Sequence, residues 1–343
     1  MTARLTEALI EQANACEKLG SPFMRTLLEL LAERLRPDTP LKKRLFNWPG
    51  DLGPAAESVP LRLTGALHAL RMLDRCGLQD AYPPNELDIE ILWGAVDWAL
   101  DKEAAYISTF IDSPPQTNEV RRSAGLIAAG QWLNRRYGLP IDLREIGCSA
   151  GLNLMWDQFA LNAGDATFGP ADSKVQLMPD WQGNLPPAGT VAISDRRGVD
   201  LAPIDIHSPI DRLRLKSYIW PDQPQRMDMT DAAISMFNAK IDQADAVDWL
   251  SKSLSTRKGH LTLVYSTIAW QYLPRDAQYR GEAIMEMVGR ATNADAPLAW
   301  LLIENDGKGE GAGISLRLWP NDLKLSLGRM DFHGRWVQWA PPV

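Results

Sequence analysis

Ten residues in the middle of the chain, EIGCSAGLNL at 145–154, restrict the fold more than any other stretch. They follow an apolar run, IDLREI at 141–146, that reads as a strand, and lead into LNLMWDQFAL at 152–161, which reads as a helix. A strand that turns through glycines into a helix leaves backbone N–H groups at the helix start facing something polar or anionic. Gly147 and Gly151 permit a tight turn and a close approach of a ligand to the backbone.

The chain changes texture near residue 140. Before it, residues 3–19, 22–35, 60–76, 86–101 and 118–137 place apolar side chains at helical spacing, and no strand is evident. Ser21-Pro22 and Asn85-Glu86 read as helix starts, and Gly20, Gly77 and Gly138 as stops. After it, short apolar runs at 141–146, 190–194, 261–268 and 298–304 alternate with helical or irregular connections, the mark of a parallel sheet. ISLRLWP and LKLSLGRMDFHGRWVQW alternate like antiparallel strands at a sheet edge. The expected architecture is α/β: an α-helical N-terminal domain over 1–139, then a Rossmann-like, three-layer domain over 140–343 with a mostly parallel, seven-stranded sheet.

Bulk properties narrow the function classes. With 343 residues, 45% of them hydrophobic, the chain is long enough for two cores. A net charge of −7 without a basic block argues against nucleic acid as a partner. Cys16, Cys76 and Cys148 are odd in number and far apart, so no disulfide framework is expected. His68, His207, His260 and His333 show no metal-ligand spacing, and no metal site is expected. The N-terminus carries Glu7 and Glu11 within an amphipathic pattern, and no apolar run approaches the roughly 20 residues of a spanning helix. A soluble, cytoplasmic protein acting on a small molecule is the expectation, with no membrane partner.

The central decapeptide fits two chemistries. As G-C-S-A-G it matches the nucleophile elbow of α/β-hydrolases, with Ser149 followed in order by Asp276 or Asp306 and then His333. That fold needs strands before the elbow and an oxyanion loop upstream, and the helical first half offers neither. As E-x-G-x-x-x-G it resembles the first motif of S-adenosylmethionine-dependent methyltransferases. That reading assigns more positions. Glu145, Gly147, Ser149, Gly151 and Asn153 would hold the cofactor at the first turn, and Asp200, ending a second strand in RRGVDLAPIDI, would accept the ribose hydroxyls. Asp245 would meet the adenine, and Ser266 with Thr267, Trp270 and Gln271 would face the methyl donor. Gln271, Tyr272, Glu119 and Arg122 would border the acceptor, with His333 as a general base or orienting donor. Departures are the absent G-x-G-x-G and a gap of about fifty residues between Gly151 and Asp200, where about 20 is usual. The intervening insert at 162–190 reads as a β-hairpin or a lid.

EIGCSAGLNL, RRGVDLAPIDI, IWPDQPQR at 219–226, YSTIAWQYLP, DFHGRWVQW and QTNEVRRSA at 116–124 together resemble a bacterial family of unknown function, placed among Rossmann-like, methyltransferase-related proteins. The resemblance implies the fold and leaves the reaction open. Methyl transfer from S-adenosylmethionine is favoured; a non-catalytic ligand-binding protein on the same fold and a serine hydrolase remain as alternatives. Within this set Cys148 reads as a small buried spacer, and Asp222 and Arg226 as an ion pair bracing a turn.

Overall fold

A computed structural model describes residues 2–54 and 56–342. The chain forms two compact units: Met1–Thr117 with Asp205–Asp228, and Asn118–Ile204 with Met229–Val343. This division differs from one at 139/140 in two segments. The helix before the first strand belongs with the sheet, and residues 205–228 belong with the helices.

The helical unit contains α1 (Thr2–Lys18), α2 (Pro22–Arg34), α3 (Pro40–Phe46), α4 (Val59–Met72), α5 (Leu78–Ala81), α6 (Ile89–Lys102) and α7 (Ala104–Phe110). Four of these match the apolar spacing to within a few residues. Leu27, Leu31, Leu63, Leu67, Val96 and Leu100 are fully buried in its core. Ser21 caps α2 through Met24 N at 3.3 Å, with Pro22 in the first turn. The Asp222 carboxylate accepts from Ser21 Oγ and Phe23 N and so anchors a helix start. The start expected at Asn85-Glu86 falls instead at Asp88, whose carboxylate takes the N–H groups of Glu90 and Ile91.

The sheet unit opens with α8 (Ser123–Tyr137), while α9 (Pro209–Ser217) lies in the helical unit; α10 (Pro224–Ser235), α11 (Ala246–Ser253) and α12 (Arg275–Arg290) complete the helices. The strands are β1 (Ile141–Ile146), β2 (Ala160–Ala163), β3 (Ala166–Phe168), β4 (Gln176–Leu177), β5 (Asp180–Gly183) and β6 (Ile193–Asp200). They continue with β7 (Lys240–Gln243), β8 (Leu261–Thr267), β9 (Leu298–Glu304), β10 (Ala312–Trp319), β11 (Leu323–Met330) and β12 (Trp336–Trp339).

The main sheet has nine strands, not the seven expected, in the order β7-β6-β1-β8-β9-β10-β11-β12-β5. From β7 to β9 all neighbours are parallel. From β9 to β12 the strands meander antiparallel, and β5 returns parallel to β12. Helices cover both faces. Ile146, Val199, Val264 and Trp300 pack with Trp249 and Leu250 of α11 and Met285 of α12. On the opposite face Gly125 of α8 meets Ile303, Ile314 and Met330. The helix expected over LNLMWDQFAL is a 3-10 segment, Leu152–Gln158, ending where Phe159 turns extended. Ala160–Ala163 then pairs antiparallel with β3, so the insert begins as a hairpin. Among the described residues no helix is long and apolar enough to cross a membrane. The three cysteines are free.

Candidate functional site at the carboxyl ends of β1, β6, β8 and β9

Strand β1 leads out to β6 on one side and β8 on the other, so the connection order reverses beside it. In open α/β sheets ligands bind at such a switch point, outside the carboxyl ends of the strands. Here the turn after β1 carries three left-handed residues within five: Gly147 (φ 65°), Ser149 (φ 53°) and Gly151 (φ 70°). Serine in that region costs on the order of 1–2 kcal/mol and persists only where neighbours hold it. Asp200 is that neighbour. Its Oδ2 accepts from Ser149 N at 2.8 Å and its Oδ1 from Ala202 N at 2.9 Å. Gly147 N and Cys148 N both donate to Val199 O, and Leu152 N donates to Asn118 Oδ1 at 2.8 Å.

The two glycines are closely packed. A Cβ on Gly147 would lie 2.3 Å from Ala269 Cβ, and one on Gly151 would lie 2.7 Å from Ile241 Cδ1. Cys148 is buried, its Sγ against Gly198, and burial pushes its thiol well above the ordinary range. A neutral, enclosed thiol is a spacer and a poor nucleophile.

Glu145 is 1% exposed. It pairs across the sheet with Tyr265, whose hydroxyl donates to Asn153 O at 3.2 Å and lies 3.4 Å from Glu145 Oε2. Burial raises the Glu145 carboxyl well above its usual range; the Tyr265 contact opposes this and the charge of Asp200 adds to it. Asn153 is also interior, accepting from Ser123 Oγ at 2.9 Å and donating to Glu119 O at 3.3 Å. Glu119, buried, accepts from Arg121 N and Nε. Arg122 Nε donates to Phe332 O at 2.9 Å and its Nη1 to Thr267 O at 3.1 Å, which ties two loops of the sheet unit together.

The loop after β8 is organised by one carboxyl. Glu304 Oε1 accepts from Ser266 Oγ at 2.8 Å and from the N–H groups of Ala269 and Trp270 at 3.1 and 3.0 Å; Oε2 accepts from Gln271 N. Burial raises its affinity for a proton against these four donors. Ile268 sits at φ 55°, an uncommon conformation for a β-branched residue. Gln271 Oε1 accepts from Asn305 N at 2.7 Å, and Tyr272 is 60% exposed. His333 N donates to Asp331 Oδ1 at 2.9 Å, beside the Asp331–Arg335 ion pair. Asp245 is exposed and caps α11 through Val247 N and Asp248 N, both 3.0 Å away.

The structure therefore joins Ser149 with Asp200, Glu145 and Asn153 with Tyr265, Asn153 with Glu119, and Arg122 with the loops after β8 and β11. Asp245 is engaged with its own helix. A groove of about 750 Å³ opens beside the β8 loop, lined by Trp270, Gln271, Glu304 and Asp306 and floored by Ser315 and Ser326 of β10 and β11. The two serines were not singled out in the sequence, although alternation in AGISLRLW and LKLSLGRM marks them as partners on one face; they pair directly in the register. Among the described residues no three His, Cys, Asp or Glu side chains are grouped to hold a metal ion.

Residues 6–339 match the model of a family described as an uncharacterized protein conserved in bacteria, DUF2332, and the chain belongs to that family. No curated protein and no solved structure matches it.

Proposed function

We propose that this family member transfers a methyl group from S-adenosylmethionine to a small or medium-sized acceptor. The observation that carries the proposal is the pairing of two strained loops at one switch point. Ser149 and Ile268, both left-handed, lie on the turns that leave β1 and β8, adjacent parallel strands in the order β7-β6-β1-β8-β9. Strain of this kind collects where a backbone must meet a ligand in a set geometry. In this reading the five parallel strands with β10 and β11 would be the Rossmann-like part of the nine-stranded sheet, which β12 and β5 extend.

In this reading the backbone of Gly147, Ser149 and Gly151 meets the cofactor, and Asp200 serves its ribose by giving up one backbone bond. Asp245 would take the adenine with the carboxylate oxygen not used in capping. Glu145, Asn153 and Ser266 act from inside, through Tyr265, Glu119 and Glu304, to hold the two turns in place. The acceptor would lie at Gln271 and Tyr272, with Glu119, Arg122 and His333 supporting the surrounding loops. Catalysis would come from alignment of sulfonium and acceptor, a contribution that needs no covalent chemistry from the protein.

A second reading, a ligand-binding protein without turnover, is favoured by a specific observation: both Asp200 oxygens accept backbone N–H groups, and Ala269 and Ile241 fill the space beside the two glycines. The hydrolase reading has less support, because no described strand precedes β1. Calorimetric titration with S-adenosylmethionine and S-adenosylhomocysteine tests the proposal. Binding of both near micromolar, about −8 kcal/mol, is expected. No heat from either at concentrations up to about 1 mM sinks it. Tight binding with no methyl transfer across an acceptor screen would move the assignment to the second reading.

A further inference from the structure

The groove beside the β8 loop is rich in donors and poor in free acceptors. Arg275, Lys308 and Lys324 line it; the charges of Lys308 and Lys324 act on Asp306 and Asp322, but among the described residues neither lysine closes to an ion pair. The arginines on β10, β11 and the turn before β12 are engaged: Arg317 with Glu286 and Asp322, Arg329 with Asp306, and Arg335 with Asp331.

The carboxyls of the groove are already committed. Asp306 takes Arg329 Nη1 on both oxygens, at 2.9 and 3.0 Å, and Glu304 is buried under its four donors. Gln271 uses its amide oxygen on Asn305 N, which leaves its NH₂ group as a donor. Ser315 and Ser326 are exposed on the floor, directly paired across β10 and β11. Three cations, two hydroxyls and an amide NH₂ around one groove match a ligand with several anionic oxygens. Trp270, Leu302 and Leu325 add an apolar wall, which suits an organic body attached to that anion.

We propose that this groove binds a small phosphorylated molecule, its phosphate held by Arg275, Lys308 and Lys324 with the Ser315 and Ser326 hydroxyls. The inference does not depend on methyl transfer: Gln271 borders both this groove and the proposed acceptor position, but the cations and serines lie on the β10–β11 face and around it, whereas the cofactor is assigned to the β1 and β6 turns. All three cations are on the surface, so they can be changed without disturbing the core.

The test is calorimetry with pyrophosphate as the probe, on wild type, the double variant Arg275→Gln/Lys324→Gln, Lys308→Gln, and Lys258→Gln as a control outside the groove. Wild type and control are expected to bind with a dissociation constant below about 1 mM, and the double variant to bind about tenfold more weakly. Lys308→Gln should also weaken binding, and raising the salt should weaken it for every protein that binds. Citrate, a polyanion without phosphorus, should bind more weakly than pyrophosphate. No binding to wild type, equal binding to the double variant, or citrate binding as tightly as pyrophosphate would each overturn the proposal. S-adenosylhomocysteine is titrated separately into the same proteins, so a failure at either site is read independently.

Discussion

Asp200→Ala distinguishes a carboxylate that builds the β1 turn from one that waits for a ligand. Its two oxygens receive Ser149 N at 2.8 Å and Ala202 N at 2.9 Å. A hydrogen bond to a charged acceptor contributes about 1.5–3 kcal/mol, and Asp200 is only half-buried, so the low end applies to each. Removing both should cost about 3 kcal/mol. Relaxation of Ser149 out of its left-handed conformation would return about 1 kcal/mol of that, which leaves a net loss of about 2 kcal/mol. Asp200→Asn keeps one acceptor oxygen and should lose about half as much. Urea unfolding followed by tryptophan fluorescence measures both, with the slope on urea checked for constancy. A loss for Asp200→Ala within about 0.5 kcal/mol of zero, as at an ordinary surface position, would refute the reasoning. The carboxylate would then be dispensable to the turn and free for a ribose.

Three further predictions concern buried groups. His68 is enclosed in the helical unit with Nδ1 3.1 Å from Ser217 O, and burial lowers its pKa from 6.5 to about 4. The unfolded chain therefore binds a proton that the folded one refuses, so stability should fall as pH drops from about 6.5 to 4, by on the order of 3 kcal/mol in all. On going from pH 7 to pH 5 the urea midpoint of wild type should fall relative to that of His68→Gln; an unchanged difference between the two would contradict this. For Glu145 the sign is opposite. Its folded pKa is raised above 4.5, so the unfolded chain ionises first and stability declines as pH rises above that value. Glu145→Gln should be at least as stable as wild type at pH 8 and should lose the decline; a melting temperature lowered more at pH 8 than at pH 5 would contradict this. In α8, a Cβ on Gly130 would lie 2.3 Å from Trp156 Cη2. Gly130→Ala should therefore cost about 1–2 kcal/mol by overpacking despite the gain in helix propensity, measured by urea unfolding with near-ultraviolet circular dichroism reporting Trp156.

The legibility of this chain follows burial. β1 and β9 run over the residues marked for them; β9, covered on both faces, reads as a nearly continuous hydrophobic run. β6 is displaced from 190–194 to Ile193–Asp200 because its centre carries Arg196 and Arg197, which no hydrophobic pattern admits to a strand. Their charges are met by Asp157 and Asp242, contacts visible only in three dimensions. Segment 152–161 looks helical by spacing, yet the pairing of Ala160–Ala163 with β3 overrides that local preference. In the site, the glycine turn and the position of Asp200 at a strand end were both legible. The bonds from Ser149 N and Ala202 N to Asp200 were not, and neither was the role of Glu304 in gathering the N–H groups of Ala269, Trp270 and Gln271. Each joins residues more than thirty apart except Ala202, and no local pattern encodes it.

Hydrogen–deuterium exchange with and without S-adenosylhomocysteine tests cofactor binding at the β1 turn most directly. Slower exchange confined to residues 147–153 and 198–204, with a smaller effect at 266–271, is the expected result. Unchanged exchange in these segments at saturating ligand, or protection elsewhere alone, would contradict a cofactor site at this turn.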